Sequence, residues 1–237
     1  MEELIQLRKV AKYYEMGESV VKALDGIGIS INKGDFVAIM GPSGSGKSTA
    51  MNLVGSLDLP THGTIFLGDH DISHLEESEL AQLRGKKIGF IFQSFNLIGN
   101  LTAKENVMLP MLFQETEKEE REARAEELLH LVDLSDRMDH YPNQLSGGQQ
   151  QRVAIARALA NDPEIILADE PTGNLDTKTG EKVLHFLEKF NQNGKTIIMV
   201  THDPNIALNH AKTIYQLKDG KIEKLMKKIK DKWKEIK

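Results

Sequence analysis

The segment Gly41–Thr49 reads GPSGSGKST and constrains the fold more than any other part of the chain. It fits the pattern G-x-x-x-x-G-K-[ST], in which a glycine-rich loop and the start of a helix point backbone N–H groups at a phosphate. The apolar run Phe36–Met40 before it is typical of a strand, and Ala50–Val54 after it can continue as a helix. Because the motif requires this strand, loop and helix order, the sequence predicts a nucleotide-binding P-loop.

Each residue type in this loop has a physical reason to be there. Glycine allows a tight turn and a close approach to the ligand, and the dipole of a helix that begins near Gly46 favours negative charge. Lys47 would reach the β- and γ-phosphates, and the Ser48 hydroxyl would be a ligand of Mg²⁺. The predicted phosphate-binding residues are Gly41, Pro42, Ser43, Gly44, Ser45, Gly46, Lys47, Ser48 and Thr49.

The composition limits the classes of protein that remain. The 237 residues carry a net charge of −5, which argues against nucleic acid as the partner. The absence of cysteine from the sequence excludes disulfides and thiolate metal sites. No apolar run approaches the roughly 18 residues of a membrane-spanning helix, and Met1–Ile5 lacks the features of a signal peptide. We therefore expect a cytoplasmic protein whose membrane role depends on another chain.

The pattern of apolar residues predicts an α/β fold. Leu4–Val10 and Ile27–Ile31 alternate apolar and polar residues, so they predict a small antiparallel sheet before the P-loop. Ile165–Asp169 and Thr196–Thr201 are apolar throughout, which is typical of strands covered on both faces. With Phe36–Met40 they would form a parallel core. Further segments predict two strands and a polar helix between them: Thr64–Gly68, Ile88–Phe92 and His74–Arg84.

The region from about 94 to 160 predicts helices and no strand. Ala125, Leu128, Leu129 and Val132 recur there at helical spacing. We therefore expect one nucleotide-binding domain over residues 1–223, with a helical subdomain inserted at about 94–160.

The end of the chain predicts a strand, a turn and a basic tail. Thr213–Leu217 is followed by the turn-forming pair Asp219-Gly220 and then by a lysine-rich segment, 224–237. Leu225, Ile229, Trp233 and Ile236 would share one face of a helix in this tail, which we call an amphipathic helix. Such a helix either contacts a membrane surface or a permease, or packs on its own domain with its lysines in water.

A second glycine-rich helix start lies at Leu145–Gln149, which reads LSGGQ. Ser146 is predicted to cap the following helix, and Gly147 and Gly148 leave its first backbone N–H groups uncovered by side chains. This is a second place suited to an anion. A five-residue match of this kind is expected by chance only about once in several thousand chains of this length.

With both motifs in order, the chain resembles the nucleotide-binding subunits of ABC transporters, whose signature motif matches Leu145–Gln149. The resemblance implies a P-loop NTPase (RecA-like) core with an N-terminal antiparallel β subdomain and an inserted α-helical subdomain. It also implies an ATPase that forms a head-to-tail homodimer. Each ATP, with Mg²⁺, would be held by the P-loop of one chain and the signature motif of the other. The dimer would drive a separate integral-membrane permease from the inner face of the membrane.

The same resemblance assigns the catalytic residues. Asp169 matches the acid that holds Mg²⁺ through water, and Glu170 matches the base that orients the attacking water. His202 matches the switch histidine that contacts the γ-phosphate. Gln93 matches the Q-loop glutamine, which touches Mg²⁺ and links the core to the helical insertion. Without the resemblance, His202 and Gln93 would be ordinary structural residues. The implied metal-binding residues are Ser48, Gln93 and Asp169.

Two more positions follow from the resemblance. Tyr14 lies where the family places an aromatic ring on adenine, although the neighbouring Tyr13 is the alternative. Asp176 matches the D-loop aspartate that meets the opposite chain's P-loop, but Gly173 and Asn174 differ from the Ser-Ala that the family often shows. The residues implied to contact the opposite chain's ATP are Ser146, Gly147, Gly148, Gln149 and Asp176.

The branch of the family is indicated by three segments. Met51–Asp58, Gln93–Ile98 and Leu101–Val107 look most like the macrolide-export and lipoprotein-release ATPases, which implies an exporter or a system that extrudes lipoproteins or peptides. An apolar cluster beside the Q-loop either docks a permease helix or packs the helical insertion; its members are Phe95, Leu97, Ile98 and Leu101.

The main alternative is a soluble ABC-class ATPase of DNA repair or chromosome maintenance. Those proteins carry long coiled-coil or zinc-binding insertions between the P-loop and the signature motif. The ~100 residues between the two motifs here contain neither heptads nor cysteines. A monomeric kinase or GTPase would not explain Leu145–Gln149.

Overall fold

A computed structural model describes residues 2–17 and 19–236. Met1, Glu18 and Lys237 lie outside the described residues. Met1 begins the predicted nucleotide-binding domain, and Lys237 ends the predicted tail. The chain forms two compact units. The first runs to Ala81 and resumes at Asn191, and the second runs from Gln82 to Phe190.

The strands and helices follow one another in an α/β order. The strands are β1 (Glu3–Met16), β2 (Ser19–Asn32), β3 (Phe36–Met40), β4 (His62–Leu67), β5 (His70–Asp71), β6 (Ile88–Ile91), β7 (Ile165–Asp169), β8 (Thr196–Thr201), β9 (Thr213–Lys218), β10 (Lys221–Ile229) and β11 (Lys232–Ile236). The helices are α1 (Lys47–Val54), α2 (Glu77–Lys87), α3 (Ala103–Leu112), α4 (Lys118–Leu131), α5 (Gly147–Ala158), α6 (Thr177–Gln192) and α7 (Pro204–His210).

The first unit contains the predicted antiparallel sheet. Its strand order is β2-β1-β4-β5, and the long strands β1 and β2 pair from Glu3 with Asn32 to Met16 with Ser19. In β2 the residues from Ile27 to Ile31 alternate between buried and exposed, because one face of the strand packs on the core while the other meets water. In β1 some adjacent residues are both buried, where its pairing with β2 is irregular.

The same unit contains a parallel group of strands that carries the P-loop. β3 lies between β8 and β9 and pairs with both in parallel, and every residue of β8 is buried. Met40 is paired with Thr201, so the segments that follow β3 and β8 leave the sheet at the same edge. Functional residues placed after these two strands are therefore neighbours.

The prediction of a helical tail is wrong. After the predicted turn at Asp219-Gly220, β10 pairs antiparallel with β9, and β11 pairs antiparallel with β10. Leu225 lies opposite Ile236 on one face of this hairpin, whereas Trp233 lies opposite Lys228 on the other face. Pairing with the edge of an existing sheet satisfies the backbone groups of β10 and outweighs the helical spacing of four apolar residues.

The second unit contains the predicted helical region. The described residues between 94 and 160 form helices and turns without a strand, and α3 packs against α4 and α5. Ala125, Leu128 and Leu129 of α4 are buried, as their spacing predicts. The unit also includes β6 and β7, which pair in parallel, so the compact unit is larger than the predicted insertion.

Over residues 2–17 and 19–236, no helix is both long enough and apolar enough to cross a bilayer.

Candidate functional site

The P-loop is shaped by three glycines at the carboxyl end of β3. Gly44 and Gly46 have φ angles of 76° and 98°, which only glycine adopts without strain. A Cβ atom on Gly41 would lie 2.3 Å from the carbonyl oxygen of Leu217, so no side chain fits there. The helix α1 starts after Gly46, and its first backbone N–H groups are therefore not covered by a capping side chain.

The charge at this helix start comes from Lys47, which is only 9% exposed. Its Nζ donates hydrogen bonds to the carbonyl oxygens of Gly41 and Pro42 at 2.8 and 2.9 Å, so the ammonium lies inside the curve of the loop. The Ser45 hydroxyl is also buried and makes no hydrogen bond to the part of the chain that the structure describes. A buried ammonium, uncapped N–H groups and an unsatisfied hydroxyl together suit a phosphate group.

The two candidate adenine-stacking tyrosines lie on opposite faces of β1. The Tyr14 hydroxyl donates a hydrogen bond of 3.0 Å to Asp58 Oδ2, and it also interacts with the side chain of Thr49 in the P-loop. The Tyr13 hydroxyl donates instead to Asp25 at 2.8 Å, and its ring meets His62 edge to face. Tyr14 therefore lies on the P-loop side of the strand, whereas Tyr13 packs within the sheet.

His202 lies beside the P-loop in the first unit. It follows β8 directly, as Gly41 follows β3, and the last residues of these two strands are paired. The next residue, Asp203, caps α7 by accepting hydrogen bonds from the N–H groups of Asn205 and Ile206. This cap fixes the turn that carries the exposed His202 at the edge of the sheet.

The second unit brings Gln93 close to the predicted acids. β6 and β7 end side by side, with Ile91 paired with Ala168, so Gln93 and the Asp169-Glu170 pair leave the sheet at the same edge. Glu170 has a φ angle of 42°, an unusual conformation for a residue with a side chain. Strain of this kind is concentrated at functional positions.

The D-loop is tied to the Q-loop by Asn174, whose role was not predicted from the sequence. Its Nδ2 donates a hydrogen bond of 3.0 Å to the carbonyl oxygen of Gln93. Gly173 has no side chain, and a Cβ atom there would lie 2.7 Å from Gln93 Nε2. The two residues that depart from the family's usual D-loop therefore both lie against Gln93.

Asp176 caps the helix α6, since its Oδ1 accepts a hydrogen bond of 3.1 Å from the N–H group of Thr179. Hydrogen bonds from the side chain and the N–H group of Thr179 lower the pKa of Asp176, so this carboxylate is charged at neutral pH. Thr179 in turn packs against the signature motif, because a Cβ atom on Gly148 would lie 2.4 Å from its methyl carbon.

The signature motif begins α5 as predicted. Ser146 accepts a hydrogen bond from the N–H group of Gln149, and Gln149 Oε1 accepts one from the N–H group of Ser146, which together form a capping box. Ser146 and Gln149 also line a small pocket, of about 90 Å³, with the basic side chains of Arg152 and Lys182. The pocket therefore combines a helix start with positive charge.

Arg157 holds the segment that follows Gln93, a role that no sequence pattern predicts. Its guanidinium donates hydrogen bonds to the carbonyl oxygens of Phe95 and Asn96, which both have positive φ angles. Burial lowers the pKa of Arg157. Phe95 lies against the signature motif, 3.7 Å from a Cβ atom built on Gly147. Arg157 thus connects the Q-loop to the helix that the signature motif begins.

Comparisons with known proteins find related sequences over most of the chain. The sequence model of the ABC transporter family matches residues 24–173. An ABC transporter ATP-binding protein of Thermotoga maritima is 52% identical over 94% of this chain and 95% of its own length. The ABC transporter ATP-binding protein MJ0796 of Methanocaldococcus jannaschii is 54% identical over 93% of this chain and 96% of its own length. The macrolide export ATP-binding/permease protein of Hyphomonas neptunium is 49% identical over 92% of this chain, which spans 34% of that longer protein.

Solved structures show the same fold. A dimer of the ATP-binding cassette MJ0796 in a post-hydrolysis state, bound to ADP and Pi, matches with a TM-score of 0.88 and 51% identity over 94% of this chain and 98% of that one. A nucleotide-free ATP-binding cassette from an ABC transporter matches with a TM-score of 0.82 and 30% identity over 95% and 91% of the two chains. The predicted P-loop NTPase fold is confirmed.

Proposed function

We propose, from the premise that the chain belongs to the ABC transporter family and is its ATP-binding, ATP-hydrolysing subunit, that two copies assemble head to tail around two Mg·ATP. The observation that carries the proposal is that two phosphate-suited helix starts lie in different compact units. One follows Gly46 and carries Lys47, and the other begins at Ser146 beside Arg152 and Lys182. Each ATP would be held by the first of one chain and the second of its partner.

The nucleotide is bound chiefly by the first unit. Lys47 moves its hydrogen bonds from the carbonyl groups of the loop to the β- and γ-phosphates, and the N–H groups at the start of α1 hold the phosphate oxygens. The Tyr14 ring supports the base. Ser48, Gln93 and Asp169 would hold Mg²⁺, with Asp169 acting through water. This donor set fits Mg²⁺, which keeps several waters and takes the rest of its ligands from phosphate.

Hydrolysis depends on the carboxylate that follows β7. Glu170 accepts a proton from the attacking water and orients it, and its strained backbone fixes the direction of the side chain. His202 contacts the γ-phosphate and stabilises its charge. Mg²⁺ would supply positive charge that stabilises the phosphates.

The dimer would drive a separate integral-membrane permease, with the chain held at the inner face of the membrane through that partner. The support comes from relatives in which an ATP-binding segment is part of a macrolide export ATP-binding/permease protein. We propose an exporter or a lipoprotein- or peptide-extruding system on the same basis. In the apolar cluster beside the Q-loop, Phe95 packs on the signature motif, whereas Ile98 is 40% exposed. Ile98 is therefore the member available to a permease helix.

The Glu170→Gln variant tests the proposed assembly. The amide keeps the volume of the side chain but cannot accept the proton, so ATP should bind and remain intact. Intact ATP then holds the two chains together. Light scattering on a sizing column should show a dimer with Mg·ATP and a monomer with Mg·ADP.

Ser146→Arg in the same background is the control. It places bulk and charge at the helix start that meets the partner's ATP, so the dimer should be lost while the monomer still binds nucleotide. A Glu170→Gln protein that stays monomeric in saturating Mg·ATP, or that hydrolyses ATP at the parent rate, would contradict the proposal.

A further inference from the structure

The Tyr14 side chain is held by a charged pair that no motif assigns. Asp58 Oδ2 accepts the hydrogen bond of the Tyr14 hydroxyl, and Asp58 Oδ1 accepts a hydrogen bond of 2.6 Å from Lys12 Nζ. The same ammonium lies 5.2 Å from the centre of the Tyr14 ring, over one of its faces. Asp58 thus fixes the hydroxyl end of the ring directly and one face of the ring through Lys12.

Asp58 is itself firmly placed. Its Oδ1 also accepts a hydrogen bond of 2.8 Å from the N–H group of Leu59, and Lys12 donates a second hydrogen bond of 2.9 Å to the carbonyl oxygen of Leu59. Partial burial raises the pKa of Asp58, but these hydrogen bonds outweigh it, so the pKa lies below its ordinary value. The residue follows α1, the helix that begins at the P-loop. It therefore connects the Tyr14 ring to the element that binds phosphate.

We propose that Asp58 is a positioning residue for the nucleobase. It holds the Tyr14 ring at a fixed angle and, through Lys12, covers one face, so that the ring presents its other face to the base. This inference deepens the proposed function and depends on it, because that function places Tyr14 at the base.

The position of Tyr14 explains why its side chain needs Asp58 and Lys12 to hold it. The ring is 37% exposed on a long two-stranded section of the sheet, so without partners its side chain would occupy several rotamers. A base that stacks on a mobile ring must first restrict it, and this restriction weakens binding. The Asp58–Lys12 pair meets that requirement before the ligand arrives.

The opposite face of the strand provides a matched control. The Tyr13 hydroxyl donates to Asp25, and Lys22 Nζ lies 5.1 Å from the centre of the Tyr13 ring. The chemistry is the same, but this ring packs against His62 and not toward the P-loop. Loss of Asp25 should therefore leave nucleotide affinity unchanged.

The experiment compares a ligand that has a base with one that lacks it. Calorimetric titrations with ADP and with pyrophosphate, both with Mg²⁺, avoid hydrolysis. Asp58→Ala should weaken ADP binding by about 3- to 10-fold, the value of one lost hydrogen bond and its ordering effect. The affinity for pyrophosphate should stay within about twofold, because the phosphate contacts do not involve Asp58. Tyr14→Phe, which keeps the ring and loses the hydroxyl, should reproduce most of the loss for ADP.

Each other outcome overturns the inference. Equal losses for ADP and pyrophosphate would mean that Asp58 supports the P-loop and not the base. An unchanged affinity of Asp58→Ala for ADP would show that Asp58 does not position the Tyr14 ring for the base. An equal loss of ADP affinity in Asp25→Ala would show that the effect is not specific to Tyr14. A parent protein that binds neither ligand would refute the P-loop assignment itself, and the inference would fall with it. Melting curves of all variants establish that they are folded.

Discussion

The P-loop packs against β2 at Gly46, and Gly46→Ala is therefore the most informative single change to the loop. A Cβ atom at Gly46 would lie 2.4 Å from the carbonyl oxygen of Ala23 and 2.9 Å from Leu24 Cδ2. The positive φ angle alone costs a residue with a side chain about 1–2 kcal/mol. Overlap with a backbone carbonyl adds about 1–3 kcal/mol, because no rotamer change relieves it. The expected loss of stability is therefore about 2–5 kcal/mol.

Gly44→Ala separates the two contributions. Gly44 also has a positive φ angle, but nothing lies within 4 Å of a Cβ atom built there. Only the conformational cost applies, which is about 1–2 kcal/mol. In thermal melts, where 1 kcal/mol corresponds to roughly 2–4 °C for a chain of this size, Gly46→Ala should melt well below Gly44→Ala. Equal Tm values for the two variants would refute the claim that Gly46 packs directly against the Ala23 carbonyl group of β2.

Three further changes test individual residues of the site. Lys47→Ala should lower affinity for Mg·ATP at least about 10-fold in a fluorescent-nucleotide titration, since the main side-chain charge on the phosphates is lost; unchanged affinity would remove Lys47 from the site. Asn174→Ala should lower the steady-state kcat for ATP about 3- to 10-fold, because one hydrogen bond to the Gln93 loop is lost, and should change stability by less than about 1 kcal/mol. A kcat equal to that of the parent would show that this hydrogen bond does not contribute to turnover. The pKa of Asp58 is lowered from 3.8, so its contribution to stability is present at neutral pH and is lost as pH falls through the still lower pKa of the folded state. The difference in Tm between the parent and Asp58→Asn should therefore be constant from pH 7 to about pH 5 and shrink below about pH 4. A difference in Tm that grows below about pH 4 would contradict a lowered pKa for Asp58.

The residues of the P-loop and the signature motif could be placed from the sequence because their geometry is local. A glycine that needs a positive φ angle, a serine that caps a helix and a lysine after a tight turn each act within one turn of the chain. The structure has Gly46, Ser146 and Lys47 in those roles. The strands around them were predicted for the same reason, since period and burial are set by neighbouring residues.

Contacts between distant segments could not be predicted in this way. The hydrogen bonds from Asn174 to Gln93 and from Arg157 to Phe95 join residues 81 and 62 positions apart. The helix predicted for the tail was wrong for a related reason. Lys230 and Asp231 form the turn of the observed hairpin with positive φ angles, and the glycine that usually marks such a turn is missing. Nothing local to 224–237 reveals that the edge of β9 is available for pairing.

The central claim, that each ATP site is shared between two chains, is tested most directly by mixing two inactive variants. Lys47→Ala damages only the P-loop, and Ser146→Arg damages only the signature motif. In a mixed dimer, one site carries both defects and the other carries neither. Neither variant forms a dimer with an intact site by itself, so ATP should favour the mixed dimers, in which at most about half of all sites are intact.

ATPase activity is the measurement, taken for each variant alone and for the equimolar mixture at the same total protein concentration. Each variant alone should be nearly inactive, and the mixture should recover activity, up to about half of the parent rate. A mixture no more active than the two variants measured separately would contradict the shared site.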